Sequence, residues 1–176
     1  MDELYDFIHS DKFLQGIGLA NEMPYYIFDY NPKEELRMRK EIEFIIEKSK
    51  LKILKIDLFQ ITFELFKDEN MEELFEFEKS NGTRAFIKDM ISPVIEEGSL
   101  IDLIVSKAEG FDILFITGVG NVFQFLRLHE IFAKLGNKYI KMPVVGFYPG
   151  TYTTEVLSLF NIFESKNYYR AFKINR

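Results

Sequence analysis

Two carboxylates stand where α/β proteins most often carry chemistry, near the ends of predicted strands. Asp29 lies at the end of the strand-like run Tyr25–Tyr30, and Asp57 lies near the end of Leu51–Leu58. Carboxylates at the carboxyl edge of a parallel sheet can bind Mg²⁺ or act as a general base. Aspartates at strand ends are more commonly used to cap helices and close turns. The sequence leaves both uses open.

A glycine turn follows the third predicted strand, the apolar run Phe111–Thr117. Gly118 and Gly120 break that run, and Asn121 follows them. A dinucleotide fingerprint needs a third glycine, but Phe123 stands in its place, and the chain contains no G-x-x-x-x-G-K-[ST] string for a P-loop. The glycines are therefore expected mainly to form the turn, and nucleotide binding at this edge is the alternative hypothesis.

Other catalytic arrangements lack support in the sequence. The chain has no cysteine, and its histidines, His9 and His129, have no partner at metal-binding spacing. Arg127 and His129 are two residues apart, which places them on different sides of a helix. The serines do not form a nucleophile elbow. We therefore expect no catalytic residue, no metal and no cofactor, and we expect His129 to be a partly buried helix histidine.

Two strings near the end of the chain are rich in tyrosine and arginine. One is residues 148–152, which ends in Tyr152, and the other is residues 167–172, which includes Tyr168, Tyr169 and Arg170. Tyrosine and arginine are common anchors of protein interfaces. The alternative is a core strand in which the tyrosine hydroxyls bond internal partners.

The elements that would position these residues alternate along the chain. Strands are predicted at 25–30, 51–58, 111–117, 143–147 and 168–174, and helices at 1–14, 31–48, 59–67, 71–80, 83–109, 119–136 and 154–160. This order predicts an α/β fold, a three-layer α/β/α sandwich with a mainly parallel sheet of about five strands. It would be Rossmann-like, or P-loop-NTPase-like without Walker motifs. We expect a single domain, 1–176, with 59–109 as a helical insertion between strands two and three.

Charge is unevenly distributed along the chain. Residues 1–110 carry 24 acidic and 14 basic side chains, and residues 111–176 carry 4 acidic and 8 basic. The asymmetry indicates either two faces with different partners or solvated helices in the first part. A net charge of −6 argues against a dedicated nucleic-acid binder. The acidic N-terminus and the lack of cysteine favour a cytoplasmic location without a membrane span.

Four blocks of sequence span almost the whole chain in a characteristic order. They are residues 16–30 (GIGLANEMPYYIFDY), 116–120 (ITGVG) with 125–129 (FLRLH), 147–152 (FYPGTY) with 157–160 (LSLF), and 167–172 (NYYRAF). Together they resemble the BrxB family, a component of BREX bacteriophage-exclusion systems.

The resemblance implies a cytoplasmic subunit needed for phage defence, with no established enzymatic activity. Companion proteins of such systems include a PglZ alkaline-phosphatase-like protein, a DNA adenine methyltransferase and a large ATPase. The leading hypothesis is a non-catalytic adaptor that binds the PglZ-type partner. The alternatives are a degenerate NTPase-like domain that binds a nucleotide or Mg²⁺, and a weak nucleic-acid-binding subunit. The candidate interaction or ligand-edge residues are Asn21, Glu22, Asp29, Asp57, Gly118, Gly120, Asn121, Arg127, His129, Tyr152, Tyr168, Tyr169 and Arg170.

Overall fold

The computed structural model describes residues 2–15, 23–138, 142–153, 156–165 and 171–174, which form a mixed α/β fold with a mostly parallel sheet. The strands are β1 Tyr25–Tyr30, β2 Ile53–Asp57, β3 Ile113–Thr117, β4 Val144–Tyr152, β5 Leu157–Leu159, β6 Phe163–Ser165 and β7 Phe172–Lys173. The helices are α1 Asp2–Ile8, α2 Asp11–Leu14, α3 Glu35–Lys48, α4 Leu58–Leu65, α5 Met71–Asn81, α6 Thr83–Phe86, α7 Ser92–Glu96, α8 Ser99–Ala108, α9 Val119–Val122 and α10 Leu128–Asn137.

The strand order places the predicted site residues at one edge. The parallel strands run β2-β3-β4-β1-β7, while β5 pairs antiparallel with β4, and β6 pairs antiparallel with β5. In this register Asp57 lies opposite Thr117, and Asp29 lies opposite Tyr148. The carboxyl ends of β1, β2 and β3 therefore meet at the same edge, as the sequence predicted.

Both faces of the central strand β3 are covered, because it carries apolar residues at successive positions. In β3, Leu114 and Ile116 pack with α4, α8 and α10, while Ile113 and Phe115 pack with α1, α2 and α3. This confirms the buried strand predicted from the run before Gly118. The finer three-layer, Rossmann-like description stays a prediction, as does the single domain over 1–176.

The helical segment that follows β1 begins as predicted. The Asn31 side chain accepts the Lys33 N–H at 3.0 Å, and Pro32 opens a 3₁₀ turn, Pro32–Glu34, that continues into α3. An asparagine cap followed by proline is a common helix start, since proline has no N–H to leave unbonded there.

The predicted helix 154–160 is wrong within the described residues. Leu157–Leu159 instead forms β5, which pairs with residues 150–152 of β4, and β6 continues the hairpin. Leu157 and Leu159 are buried, whereas Ser158 between them is only half-buried. That alternation is typical of a strand, and the partner strand decided the outcome over local propensity.

The prediction of a single helix after β3 is also wrong. The structure has two helices there, α9 and α10, separated by residues 123–127. Arg127 has extended backbone, with φ −111° and ψ 141°, and its N–H donates to the Glu130 carboxylate at 3.2 Å. This bond starts α10 as a new helix. Val122, Leu126 and Phe132 are all buried in the same core cluster at helical spacing, so the apolar spacing did not reveal the break.

Between β2 and β3 the chain is helical, as predicted for 59–109, and forms α4 to α8. A π-helical turn, Ile87–Ile91, joins α6 to α7. The status of this region as an insertion stays a prediction.

We expect Gly150→Ala to lower the free energy of unfolding by about 2 kcal/mol or more. Gly150 has φ +154°, and a Cβ there would lie 2.1 Å from the Ser158 carbonyl oxygen. The matched variant, Gly136→Ala in α10, has no atom within 4 Å of the added Cβ and should gain about 0.5–1 kcal/mol. Urea unfolding of both variants checks this. Equal stabilities would show that β4 does not approach β5 as closely as described.

Candidate functional site

The Asp29 carboxylate of β1 forms hydrogen bonds to residues of β4 and β7. Its Oδ2 accepts the Tyr152 N–H at 2.8 Å and an Nζ–H of Lys173 at 2.8 Å. Lys173 Nζ also donates to the Tyr152 carbonyl at 2.9 Å. One largely buried carboxylate thus holds the end of β4 and the short strand β7 beside β1.

Asp57 caps α4. Its Oδ1 accepts the N–H groups of Phe59 and Gln60 at 3.0 and 3.1 Å, and a Cβ added at Gly118 would lie 2.9 Å from either carboxylate oxygen. Gly118 has φ +75°, a conformation that favours glycine. Helix capping, the commoner of the two uses that the sequence left open, is therefore observed for Asp57, whereas Asp29 instead bonds distant strands.

A cleft of about 240 Å³ opens beside Asp57 and Gly118 at this edge. Three cations line it, Arg39, Lys40 and Lys55; Arg39 donates to Glu35 at 2.7 Å, and Lys55 bonds Glu43. Within the described residues, no group of three or more His, Cys, Asp or Glu could hold a metal ion. Two of the three cations at the cleft are therefore already engaged by carboxylates of the protein.

Gly120 and Asn121 are neighbours in α9 with different surroundings, and Asn121 lines an opening formed with α4 and α5. A Cβ at Gly120 would lie 2.6 Å from the Phe160 ring, so the glycine makes room for that side chain. Asn121 is exposed on α9. Neither residue is brought together with Asp29.

Arg127 and His129 line a second cleft of about 190 Å³, between the start of α10 and the β5–β6 hairpin. Glu164 and Ser165 of β6 line its other side. Both predicted residues therefore face one cleft, although Asp29 lines a different opening with Lys173.

An aromatic stack borders the second cleft. The Phe123 and Phe163 rings are stacked with centroids 5.2 Å apart, and the Arg127 guanidinium lies 5.7 Å from the Phe123 centroid. Ile162, next to Phe163, is 72% exposed. We call Phe123, Arg127, Ile162 and Phe163 the hairpin surface.

Sequence reasoning missed Phe123, Phe163 and Lys173 as site residues. In the sequence, Phe123 stands where a dinucleotide fingerprint has its third glycine, and nothing local links it to Phe163, 40 residues away. Tyr152 is buried, and its hydroxyl donates to the Ala171 carbonyl at 2.7 Å. Tyr152 is therefore a core residue with an internal partner, which was the alternative to an interface anchor. Asn21, Glu22, Tyr168, Tyr169 and Arg170 lie outside the described residues.

His129 is held towards its neutral form. Burial lowers its pKa below 6.5; Arg127 adds to this effect and Glu130 opposes it. At neutral pH the imidazole is therefore uncharged at the edge of the cleft.

The fold and these sites define a mixed α/β protein with an exposed arginine–aromatic surface. No helix among the described residues is long and apolar enough to cross a membrane. The family model described as "BREX protein BrxB" matches residues 54–174. The chain therefore belongs to the BrxB family, as the sequence blocks predicted.

Two curated relatives extend this similarity over nearly the whole chain. A BREX protein BrxB from Bacillus cereus (strain H3081.97) is 34% identical, covering 99% of this chain and 95% of the relative. A BREX protein BrxB from Escherichia coli O9:H4 (strain HS) is 29% identical, covering 99% of this chain and 89% of the relative. No solved structure matches the chain.

We expect His129→Gln to weaken the loss of stability on acidification. Because the folded pKa lies below the unfolded value, protonation favours the unfolded chain, so this contribution is complete above pH about 6.5 and falls as the pH decreases. The Tm of the wild type should therefore fall further than that of the variant between pH about 7.5 and 5.5. Calorimetric scans across that range measure the difference. Parallel pH profiles would contradict the assigned pKa shift.

Proposed function

We propose that this protein is a non-catalytic interaction subunit of a BREX complex and that the hairpin surface contacts its PglZ alkaline-phosphatase-like partner. Membership of the BrxB family supports a role alongside other BREX proteins. The partner and the adaptor role follow from the resemblance of the sequence blocks, together with the chemistry of the exposed surface.

The observation that carries the proposal is the stack of Arg127, Phe123 and Phe163 beside the exposed Ile162. Arginine and aromatic side chains are enriched in the central anchors of interfaces, and a cation above a ring is already ordered before binding. Ordering side chains beforehand reduces the entropy lost on association.

The hairpin loop adds support for this location. Phe160 and Asn161 have φ 54° and 58°, in the left-handed region that residues other than glycine seldom occupy. Asparagine tolerates this conformation, whereas a bulky phenylalanine rarely adopts it. Strained backbone of this kind is concentrated at binding and switch sites. The strain here lies directly before Ile162 and Phe163, the exposed part of the hairpin surface.

The predicted alternatives have less support from the geometry. A nucleotide or Mg²⁺ at the sheet edge would need carboxylates free to bind it, yet Asp29 and Asp57 already accept bonds from the protein. Nucleic-acid binding needs an extended basic surface, and the net charge is −6. These two functions, and the Rossmann-like description of the fold, stay predictions.

We expect Arg127→Ala and Phe163→Ala each to weaken the complex with the PglZ-type partner about tenfold or more, as removal of an interface anchor does. The alanine at 127 retains the N–H that donates to Glu130, so the start of α10 is preserved. Arg37→Ala is the matched control, since Arg37 on α3 is exposed and its ion pairs among the described residues are with the nearby Glu34 and Glu41.

Co-purification of tagged variants with the PglZ-type protein, followed by titration of the purified pair, measures the effect. Wild-type affinity in both the Arg127 and Phe163 variants would remove the hairpin surface from the interface. Absence of any complex with the wild-type chain would remove the proposed partner.

A further inference from the structure

A separate apolar groove lies among the helices between β2 and β3. Phe59 and Phe63 of α4 form one wall, and Phe75 of α5 forms another; their rings are exposed by 43%, 47% and 58%. The volume between them is about 300 Å³, and the π-helical turn Ile87–Ile91 lines it. We call this feature the aromatic groove. Its π-helical turn is of a kind often found at functional sites.

Three of the polar side chains that line the aromatic groove, Thr62, Glu78 and Thr83, bond within the protein, and the other two, Asn121 and Gln124, are exposed. The Thr62 hydroxyl donates to the Leu58 carbonyl at 2.7 Å, and the Thr83 hydroxyl donates to the Glu78 carboxylate at 2.7 Å. Pockets for small molecules usually present several converging polar groups that fix the orientation of the ligand. The groove instead presents a nearly continuous apolar surface, which suits a row of apolar side chains.

The helical segment that supplies most of the groove is acidic, and Glu78 is the one ionisable side chain among the lining residues described. Residues 58–109 carry 12 acidic and 5 basic side chains, so their net charge of −7 is more negative than the −6 of the whole chain. On α5, which carries the wall residue Phe75, Glu72, Glu73 and Glu76 are exposed, and Glu76 lies 3.4 Å from Lys79. This field repels nucleic acid, anionic lipid surfaces and the same face of a second copy, and it attracts cations.

We infer that the aromatic groove docks an amphipathic α-helix of a partner protein, with basic residues flanking the apolar face of that helix. Apolar side chains at positions i and i+4 would enter the groove, as in other complexes where a helix binds a hydrophobic groove. The lysines or arginines beside them would face the acidic rim. This inference does not depend on the proposed contact with the PglZ-type protein, because the hairpin surface contains none of the groove residues.

The test is fluorescence anisotropy with the purified full chain and a labelled Leu/Lys amphipathic peptide of about four helical turns. A peptide with glutamate in place of every lysine is the charge control. Phe63→Ala and Phe75→Ala remove groove walls. Phe44→Ala is the matched control, because Phe44 lies on α3 and is 56% exposed, close to the 58% of Phe75. Circular dichroism confirms that each variant remains folded.

We expect the Leu/Lys peptide to bind, the affinity to fall about tenfold or more in the Phe63 and Phe75 variants, and the Phe44 variant to match the wild type. Binding should also weaken as salt is raised. Equal binding of the Leu/Glu peptide, an equal loss in the Phe44 variant, or no binding of the Leu/Lys peptide would overturn the inference. So would a concentration-dependent dimer that Phe75→Ala abolishes, because a second copy would then occupy the groove.

Discussion

The arrangement of this protein depends on one carboxylate, that of Asp29. It joins the Tyr152 N–H and the Lys173 ammonium across 123 and 144 residues of sequence. Charge-assisted hydrogen bonds of this kind are among the stronger ones in proteins, and a largely buried carboxylate must have such partners. The pairing keeps β4 extended as far as the point where β5 joins it. The hairpin surface is therefore positioned by the bonds of Asp29, a residue that the sequence offered as a candidate ligand-binding carboxylate.

Local signals explain which parts of this arrangement could be predicted. The bounds of β1, the cap at Asn31 and the turn at Gly118 depend on neighbouring residues, and all are confirmed. The strand at Leu157–Leu159 and the break at Arg127 depend on distant pairing and on a single side-chain bond. The alternation Leu157-Ser158-Leu159 fits a strand but is only three residues long, and the apolar spacing around Arg127 continues across the break.

The same distinction applies to the candidate site. A carboxylate at a strand end indicates several possible uses, and only the position of its partners decides among them. The Asp57 carboxylate bonds backbone N–H groups two and three residues further along the chain, so capping could be predicted locally. The Asp29 carboxylate bonds Lys173, which lies in a strand only two residues long, so no local pattern indicated that pairing. The exposed surfaces were harder to predict, because the contact between Phe123 and Phe163 exists only after the hairpin has folded onto α9. The chain thus presents the hairpin surface and the aromatic groove as two separate surfaces.

A double-mutant cycle on Asp29→Ala and Lys173→Ala, measured by urea unfolding, tests the central claim most directly. The cycle isolates the energy of the pair from the separate effects of the two substitutions. Since the Asp29 side chain is only 12% exposed, we predict a coupling of about 1 kcal/mol or more. Additive effects, with a coupling near zero, would show that this pair does not hold the edge together and would contradict the account.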